Sequence, residues 1–467
     1  MKWSPLFFLV FVVGFFSLLG YSCANIVPPL GGPRDSLPPR LVKATPPDSA
    51  TNFTGRRIEL EFDEFLDDLQ DISRNLLFTP LFNTNPSIAV KLRTMTINLR
   101  DSLEPNTTYT FNFGDAIRDI NEGNVLRNFS YTFSTGSALD SLTFSGRVMM
   151  AETGKVDTTL IVVLYRNLSD SAVRLENPRY VTKLDGAGNF SFRNLPAGRF
   201  AVYALSPSPS GRRYLNPVQQ AFGFLDSSIT VRSGVAPVSI MAYKDPAPIT
   251  AATASTGGRV QGAADKRLRI TNNLSNNQQD LLSDLVLNFE RPLRGFDSAQ
   301  VRLSIDSTFK PVPFSIALDS FRQKATIRTA WQEGKKYNLE LGRDFAEDTT
   351  GRKLLKSDTL HFTTKKRSDY ATVSIKLRNL DATQKPVLQF FQNGALAFSV
   401  AVPNGSFSSS LFVPGDYELR VLYDRNGNGK WDPGQFFGTK RQPEIVKPVE
   451  RRALIKAGVE NEFEASL

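Results

Sequence analysis

The sequence consists largely of short segments in which apolar and polar residues alternate. A half-buried β-strand alternates in this way, because successive side chains point to opposite faces of the sheet. Residues 57–62 (Arg-Ile-Glu-Leu-Glu-Phe) and 109–113 (Tyr-Thr-Phe-Asn-Phe) are examples, and turn residues separate such segments. Many short strands with regular turns predict an all-β protein built from β-sandwiches.

The alternating pattern occurs twice along the chain. Residues 103–115 match residues 331–343, and the turn at 118–123 matches the turn at 346–351. A second pair of segments follows each of these. Residues 195–202 match 413–419, and Gln-Ala-Phe-Gly at 220–223 matches Gln-Phe-Phe-Gly at 435–438. The repeat predicts tandem β-sandwiches in the order A-B-A′-B′.

Composition shifts set the predicted boundaries. A proline-rich stretch precedes A, and a stretch of small polar residues separates B from A′. The prediction is a signal peptide at 1–22, a lipidated cysteine with a tether at 23–38, A at 39–137, B at 138–245, a linker at 246–267, A′ at 268–366 and B′ at 367–467.

The N-terminus has the pattern of a secretory signal. Lys2 is the only charged residue before Arg34, and an apolar run at 6–19 leads to small residues before Cys23. The run is shorter than the roughly 20 residues of a membrane-spanning helix. The alternatives are a transmembrane anchor or a buried strand.

Cys23 is the only cysteine in the chain. The segment resembles the lipobox of Bacteroidota lipoproteins, which implies that Cys23 carries a lipid and becomes the first mature residue. Ser22 fits that pattern, whereas Gly20 stands where leucine is usual. Cleavage that leaves a free thiol is the alternative. No acidic residue follows directly, so the resemblance favours the periplasmic face of the outer membrane over the cell surface.

The repeated units resemble two families. A is similar to bacterial Ig-like domains of the S-layer-protein type in its proline-rich opening at 38–48, its Phe-Asp-Glu strand end at 62–64 and its turn at 119–123. A′ keeps the strand end at 287–290 and the hairpin at Tyr337 but lacks the proline-rich opening. B resembles transthyretin-like, carboxypeptidase-regulatory sandwiches through residues 185–200, and B′ shares only residues 404–407 and 414–417 of that pattern. Both resemblances imply a fold but no particular activity.

One loop in B′ has the spacing of a calcium site. Asp424, Asn426, Asn428 and Asp432 occupy loop positions 1, 3, 5 and 9, and Lys430 would offer its backbone carbonyl. Gln435 replaces the glutamate of position 12, so any affinity would be weak, about 10⁻⁴–10⁻³ M. The alternative is a hairpin turn without an ion, because Asn-Gly pairs favour such turns. We expect no other cofactor.

Catalytic groups are few. His361 is the only histidine, so no Ser-His, Cys-His or zinc cluster can be assembled. The carboxylate pairs at 63–64, 67–68 and 347–348 fall in predicted turns and edges. The net charge of +10 is spread along the chain without a long basic block, which argues against nucleic acid as a partner.

The sequence therefore predicts a non-catalytic scaffold or protein-interaction module of the cell envelope. Its expected partners are the membrane, through the lipid anchor, and envelope proteins such as an outer-membrane complex. The alternative is an adhesin or glycan-binding protein, for which Trp431 is the one tryptophan expected on a loop.

Overall fold

The computed structural model describes residues 34–67, 76–207, 211–246 and 267–467. The predicted signal peptide, Cys23 and residues 247–266 of the predicted linker lie outside the described residues. The described residues form strands joined by turns and a few short helices, so the predicted all-β fold of tandem sandwiches is confirmed. None of the described helices has the length and apolar character needed to cross a membrane.

Two compact units divide the described chain. The first comprises the residues up to Ser141 together with Asn194–Pro196, and therefore contains A. The second comprises Leu142–Arg193 and Ala197–Leu467, and contains B, A′ and B′.

A is a sandwich with an aromatic interior. One sheet has the order β1-β2-β5-β4 and the facing sheet the order β3-β6-β9, while β7 pairs with β8. Phe62, Phe111 and Phe133 fill the space between the sheets, because alternate residues of each strand point inward. The strands are β1 (Leu41–Thr45), β2 (Arg57–Phe62), β3 (Leu77–Thr79), β4 (Ser87–Lys91), β5 (Thr94–Asn98), β6 (Thr108–Gly114), β7 (Ile117–Arg118), β8 (Val125–Leu126) and β9 (Phe129–Ser134).

B has a three-stranded sheet, β13-β10-β17, opposite the sheet β12-β11-β14-β15, with β16 also paired to β14. The first and last strands, β10 and β17, pair in parallel. A short helix, α1 (Ala172–Leu175), connects β11 to β12. The strands are β10 (Leu142–Met150), β11 (Ile161–Tyr165), β12 (Tyr180–Lys183), β13 (Asn189–Leu195), β14 (Gly198–Leu205), β15 (Phe222–Phe224), β16 (Ile229–Val231) and β17 (Val238–Ala242).

A′ repeats the plan of A. Its sheet β18-β20-β25-β24 corresponds to β1-β2-β5-β4, and β22-β26-β28 within its second sheet corresponds to β3-β6-β9. β19 and β23 extend that second sheet, β21 pairs with β27, and a 3-10 helix spans Ser298–Gln300. The strands are β18 (Ile270–Asn272), β19 (Gln278–Gln279), β20 (Leu285–Phe289), β21 (Leu293–Phe296), β22 (Val301–Ile305), β23 (Lys310–Pro311), β24 (Ser315–Leu318), β25 (Lys324–Arg328), β26 (Lys336–Leu341), β27 (Ala346–Asp348) and β28 (Asp358–Thr364).

B′ repeats B strand for strand. The order β32-β29-β36 reproduces β13-β10-β17, including the parallel pair, and β31-β30-β33-β34 with β35 reproduces β12-β11-β14-β15 with β16. Short 3-10 helices span Arg367–Asp369 and Ala382–Gln384. The strands are β29 (Ala371–Arg378), β30 (Pro386–Gln392), β31 (Ala395–Ala401), β32 (Ser406–Phe412), β33 (Gly415–Tyr423), β34 (Ile445–Pro448), β35 (Ala453–Ile455) and β36 (Glu460–Ser466).

One detail of the predicted repeat is wrong. The sequence equated Gln-Ala-Phe-Gly at 220–223 with Gln-Phe-Phe-Gly at 435–438. The topology instead equates β15, which contains Phe222, with β34, which begins at Ile445. Residues 435–438 lie in the loop before β34, and Phe436 packs against Phe222, so the two segments are contact partners and not counterparts.

Candidate functional site

The Asp424 loop begins directly after β33. The buried carboxylate of Asp424 accepts three backbone hydrogen bonds: Gly427 N at 2.7 Å and Asn428 N at 3.2 Å reach Oδ1, and Gly429 N at 2.6 Å reaches Oδ2. Gly427 and Gly429 both have positive φ, at 77° and 74°, a conformation that glycine adopts without strain. The backbone of residues 427–429 therefore wraps around the carboxylate of Asp424.

The remaining predicted ligands bond to one another. Asp432 Oδ2 accepts from Asn426 Nδ2 at 2.6 Å and from Asn428 Nδ2 at 2.8 Å. Lys430 N donates to Asn428 Oδ1 at 2.7 Å, and the role predicted for its carbonyl stays a prediction. The loop thus brings the four predicted side chains together. Within the residues that the structure describes, no group of three or more His, Cys, Asp or Glu is arranged to hold a metal ion.

Glu444 also belongs to this site, and the sequence did not reveal it. Its Oε1 accepts from Arg425 N at 2.9 Å and its Oε2 from Asp432 N at 3.1 Å. Burial raises the pKa of Glu444, and the nearby negative charges of Asp424 and Asp432 raise it further. Glu444 lies twelve positions beyond Asp432, outside the span of the loop motif, so only the buried position before β34 could have suggested it.

A second loop of B′, residues 433–442, packs against B, and we call it the docking loop. The Phe436 ring lies 5.1 Å from that of Phe222, 5.1 Å from that of Phe224 and 5.3 Å from that of Tyr203, measured between centroids. Phe436 is only 3% exposed. These aromatic partners all belong to β14 and β15, so B and B′ share part of one hydrophobic interior.

Polar contacts surround this aromatic cluster. Lys440 Nζ pairs with Asp170 Oδ1 at 2.7 Å, and Gln442 Nε2 donates to Phe224 O at 3.1 Å and to Asp226 Oδ1 at 2.8 Å. A Cβ on Gly434 would lie 2.5 Å from the ring of Tyr243, so the backbone approaches B too closely for any other residue.

A backbone hydrogen bond ties the sheets of B and B′ more directly. The N–H of Val446 in β34 donates to the carbonyl of Ala151 at 2.8 Å. Together with the docking loop, this bond shows that B and B′ are neighbours, although A′ lies between them in the sequence. No pattern in the sequence predicts this contact.

The other candidate residues have structural roles. His361 lies on β28, where its Nδ1 is 2.7 Å from Asn338 Oδ1. Trp431 donates from Nε1 to Glu444 O at 2.7 Å and packs against the cluster of Val387, Leu422 and Val446. Its indole therefore supports B′.

Within the carboxylate pairs at 63–64 and 347–348, the two side chains have different surroundings. Asp63 accepts from Arg40 N at 2.7 Å, and burial followed by neighbouring acids raises the pKa of Glu64. Glu347 forms an ion pair with Arg294, while Asp348 binds the backbone of its own turn. Residue 68 of the remaining pair lies outside the described residues.

Comparison with known proteins gives one family match. Residues 35–135 match the model of the bacterial Ig-like domain, which confirms the resemblance stated for A. The transthyretin-like resemblance of B and B′ stays a prediction. No curated protein matches the chain at a significant level.

Several solved structures align with the chain. One is the N-terminal part of the bacterial S-layer protein SbsC, with 17% identity over 45% of this chain and 45% of that chain and a TM-score of 0.17. Another is the S-layer protein rSbsC(31-844), with 15% identity over 91% of this chain and 41% of that chain and a TM-score of 0.17. The major pilin subunit BcpA of Bacillus cereus aligns at 9% identity over 69% of this chain and 99% of that chain, with a TM-score of 0.16. This chain spans less than half the length of either S-layer chain.

Proposed function

We propose that the protein is a non-catalytic structural component of a bacterial cell envelope, tethered through a lipid on Cys23 to the periplasmic face of the outer membrane. The observation that carries this proposal is the contact between B and B′. A buried phenylalanine, an ion pair and a backbone hydrogen bond hold two sandwiches together across an intervening domain. Such bracing suits a protein that must keep its domains in fixed positions while other proteins bind their edges and loops.

The carboxylates support this interpretation. Asp424, Asp348 and Asp119 are all buried, and each accepts hydrogen bonds from the backbone of its own turn. A carboxylate occupied in this way stabilises the fold. The Ig-like match of residues 35–135 likewise fits a structural protein and not an enzyme.

The glycan-binding alternative gains no specific support. A sugar-binding platform needs an exposed aromatic face, whereas Trp431 packs against the B′ sheet. Trp331 lies 5.1 Å from the ring of Tyr337 and 5.7 Å from that of Phe362, and donates from Nε1 to Ser283 O at 3.1 Å.

The anchor is tested by metabolic labelling with a fatty acid. We expect the label on the wild-type protein and none on Cys23→Ser, which should also leave the membrane fraction. The structural role is tested by cross-linking intact cells and by protease shaving. Discrete adducts with envelope proteins, together with protection of the protein in intact cells, are expected. Absence of label on the wild type, or uniform cleavage at the cell surface, contradicts the proposed location.

We also propose that the Asp424 loop binds Ca²⁺ weakly. The loop places Asp424 and Asp432 near Glu444. Burial raises the pKa of Glu444, and the charges of the two aspartates raise it further, so a cation there would relieve mutual repulsion. Millimolar Ca²⁺ should raise the melting temperature of the wild type and leave Asp424→Asn and Asp432→Asn unchanged. A shift that persists in both variants, or its absence in the wild type, contradicts calcium binding at this loop.

A further inference from the structure

One edge of the larger B′ sheet is long and open. β31 lies at the end of the order β31-β30-β33-β34, and within the described part of the chain β30 is its only strand partner. Leu396 and Phe398 on this strand are 46% and 41% exposed. An edge strand offers unpaired backbone N–H and C=O groups, so an open, apolar edge is a template for another strand.

The edge also lacks charge. Residues 386–415, which span β30, β31 and β32, contain no Asp, Glu, Lys or Arg, although 22% of the whole chain is charged. Proteins usually protect exposed edges with charged residues, especially lysine, or with proline. β31 has neither, and its one irregularity is a bulge between its pairs with Phe390 and Phe391.

The equivalent edge of B is protected. β12 occupies the same position in the B sheet but has four residues against seven in β31. Tyr180 and Val181 are buried there, and Lys183 ends the strand. Helix α1 lies in the connection before β12, whereas a turn at Asn393 and Gly394 joins β30 directly to β31. Two copies of one fold therefore differ in the features that block strand addition.

The hydrogen-bond pattern shows which backbone N–H groups of β31 could pair with another strand. The N–H of Val402 donates to Pro386 O at 2.9 Å, toward β30. Because these directions alternate along a strand, the N–H groups of Ser399 and Ala401 point away from β30. The bulge lies before Phe398 and leaves this segment regular.

We propose that β31 pairs antiparallel with β31 of a second copy of this chain, about a two-fold axis at Ser399. This inference rests on the proposed structural function. Self-pairing brings no like charges together, since the strand has none. Phe398 then lies opposite Val400 of the second copy. Both side chains lie on the face toward the B′ core, since the Phe398 ring contacts Phe390 and Val400 packs against the core cluster. The uncharged edge is thus complementary to itself.

The interface is small, so the dimer is weak. One strand pair with its flanking side chains covers less than the roughly 1,200 Å² at the lower limit of standard stable interfaces. A lipid anchor would compensate for this weakness, because it confines the copies to one membrane surface and raises their effective concentration. In solution the dimer should form only as concentration rises.

Sedimentation of the mature chain, prepared without its lipid, tests the proposal. We expect a concentration-dependent change from monomer to dimer. Ser399→Lys and Ser399→Glu each place like charges opposite each other and should weaken the dimer at least tenfold, whereas an equimolar mixture of the two variants should restore it. Ala317→Lys is the matched control: it adds a lysine to β24, the edge strand of A′, and should leave the dimer unchanged.

Several outcomes overturn the proposal. A wild type that stays monomeric at all concentrations excludes the second copy as the occupant of this edge. Dimerisation unaffected by Ser399→Lys, or lost equally in Ala317→Lys, places the contact elsewhere. Unfolding curves identical to those of the wild type show that the variants are folded. None of these outcomes bears on the Cys23 labelling experiment, so failure of the dimer and failure of the proposed anchor can be distinguished.

Discussion

Asp119 in A and Asp348 in A′ stabilise equivalent turns. Both are buried, and each turn contains a glycine with positive φ, Gly123 at 75° and Gly351 at 82°. Asp119 accepts from four consecutive backbone N–H groups, at 2.6 to 3.0 Å. Burial alone would raise the pKa of Asp119, but these donors outweigh it and hold the pKa below its usual value. Backbone hydrogen bonding thus explains why an aspartate begins both turns, three residues before the glycine in Asp348–Gly351 and four before it in Asp119–Gly123.

This arrangement predicts an acid-sensitive turn. A carboxyl with a lowered native pKa contributes stability above its unfolded pKa of about 3.9 and loses it as pH falls through the lower native pKa. Asp119→Asn should therefore destabilise A at neutral pH by about 1–3 kcal/mol. The variant should also lose less stability than the wild type as pH falls below about 5, because residue 119 no longer titrates. The free energy of unfolding, measured by hydrogen exchange of β6 and β9 at several pH values, reports both effects. An unchanged pH dependence in the variant contradicts the assignment, and Asp348→Asn tests the same device in A′.

Leu92 lies in a conformation that disfavours its side chain. It has φ of 55° in the hairpin between β4 and β5, and it is 66% exposed. A left-handed conformation costs an L-residue about 1–2 kcal/mol, and asparagine tolerates it better than leucine. Leu92→Asn should therefore stabilise the hairpin by roughly 1 kcal/mol, measured by hydrogen exchange of β4 and β5. Leu92→Ala keeps the strain and serves as the control, so an equal gain in both variants would show that strain is not the cause.

At the level of the strands, the sequence predicted what local periodicity determines. Residues 57–62 form β2 and residues 109–113 lie within β6, as their alternation indicated. Periodicity does not distinguish a core aromatic from one that packs against another domain. The sequence therefore equates residues 435–438 with residues 220–223, although 435–438 lie in the docking loop. Glu444 was missed for a related reason: its approach to the Asp424 loop depends on how the chain returns to β34, which no fixed spacing encodes.

Packing of the docking loop against B should stabilise the contact between B and B′. Phe436→Ala should remove the ring that packs against Tyr203, Phe222 and Phe224, at a cost of about 3 kcal/mol typical of buried phenylalanine. We expect faster hydrogen exchange in β15 and separate unfolding transitions for B and B′ in calorimetry. Phe321→Ala, at a residue of A′ that is 67% exposed, is the control and should change neither. Unaltered exchange in β15 would mean that the loop does not hold B and B′ together.

For the whole molecule, the contact between B and B′ predicts the behaviour of a cut chain. If a protease site is introduced between residues 247 and 266 and cleaved, the fragments can remain together only through contacts that the cut does not break. The aromatic cluster, the pair of Lys440 with Asp170 and the bond from Val446 to Ala151 all survive the cut. Cleavage removes the effective concentration that the intact chain supplies, so the contact must then hold by its own affinity.

We expect the two fragments to co-elute at micromolar concentration, which corresponds to a contact of about −8 kcal/mol or stronger. The same cut in Phe436→Ala should release them, because the buried ring at the centre of the contact is gone, and Phe321→Ala should not. Light scattering after size-exclusion chromatography measures the mass of the complex. Separation of the wild-type fragments at this concentration would show that B and B′ are neighbours only because the chain connects them, and would remove the main support for a braced structural role.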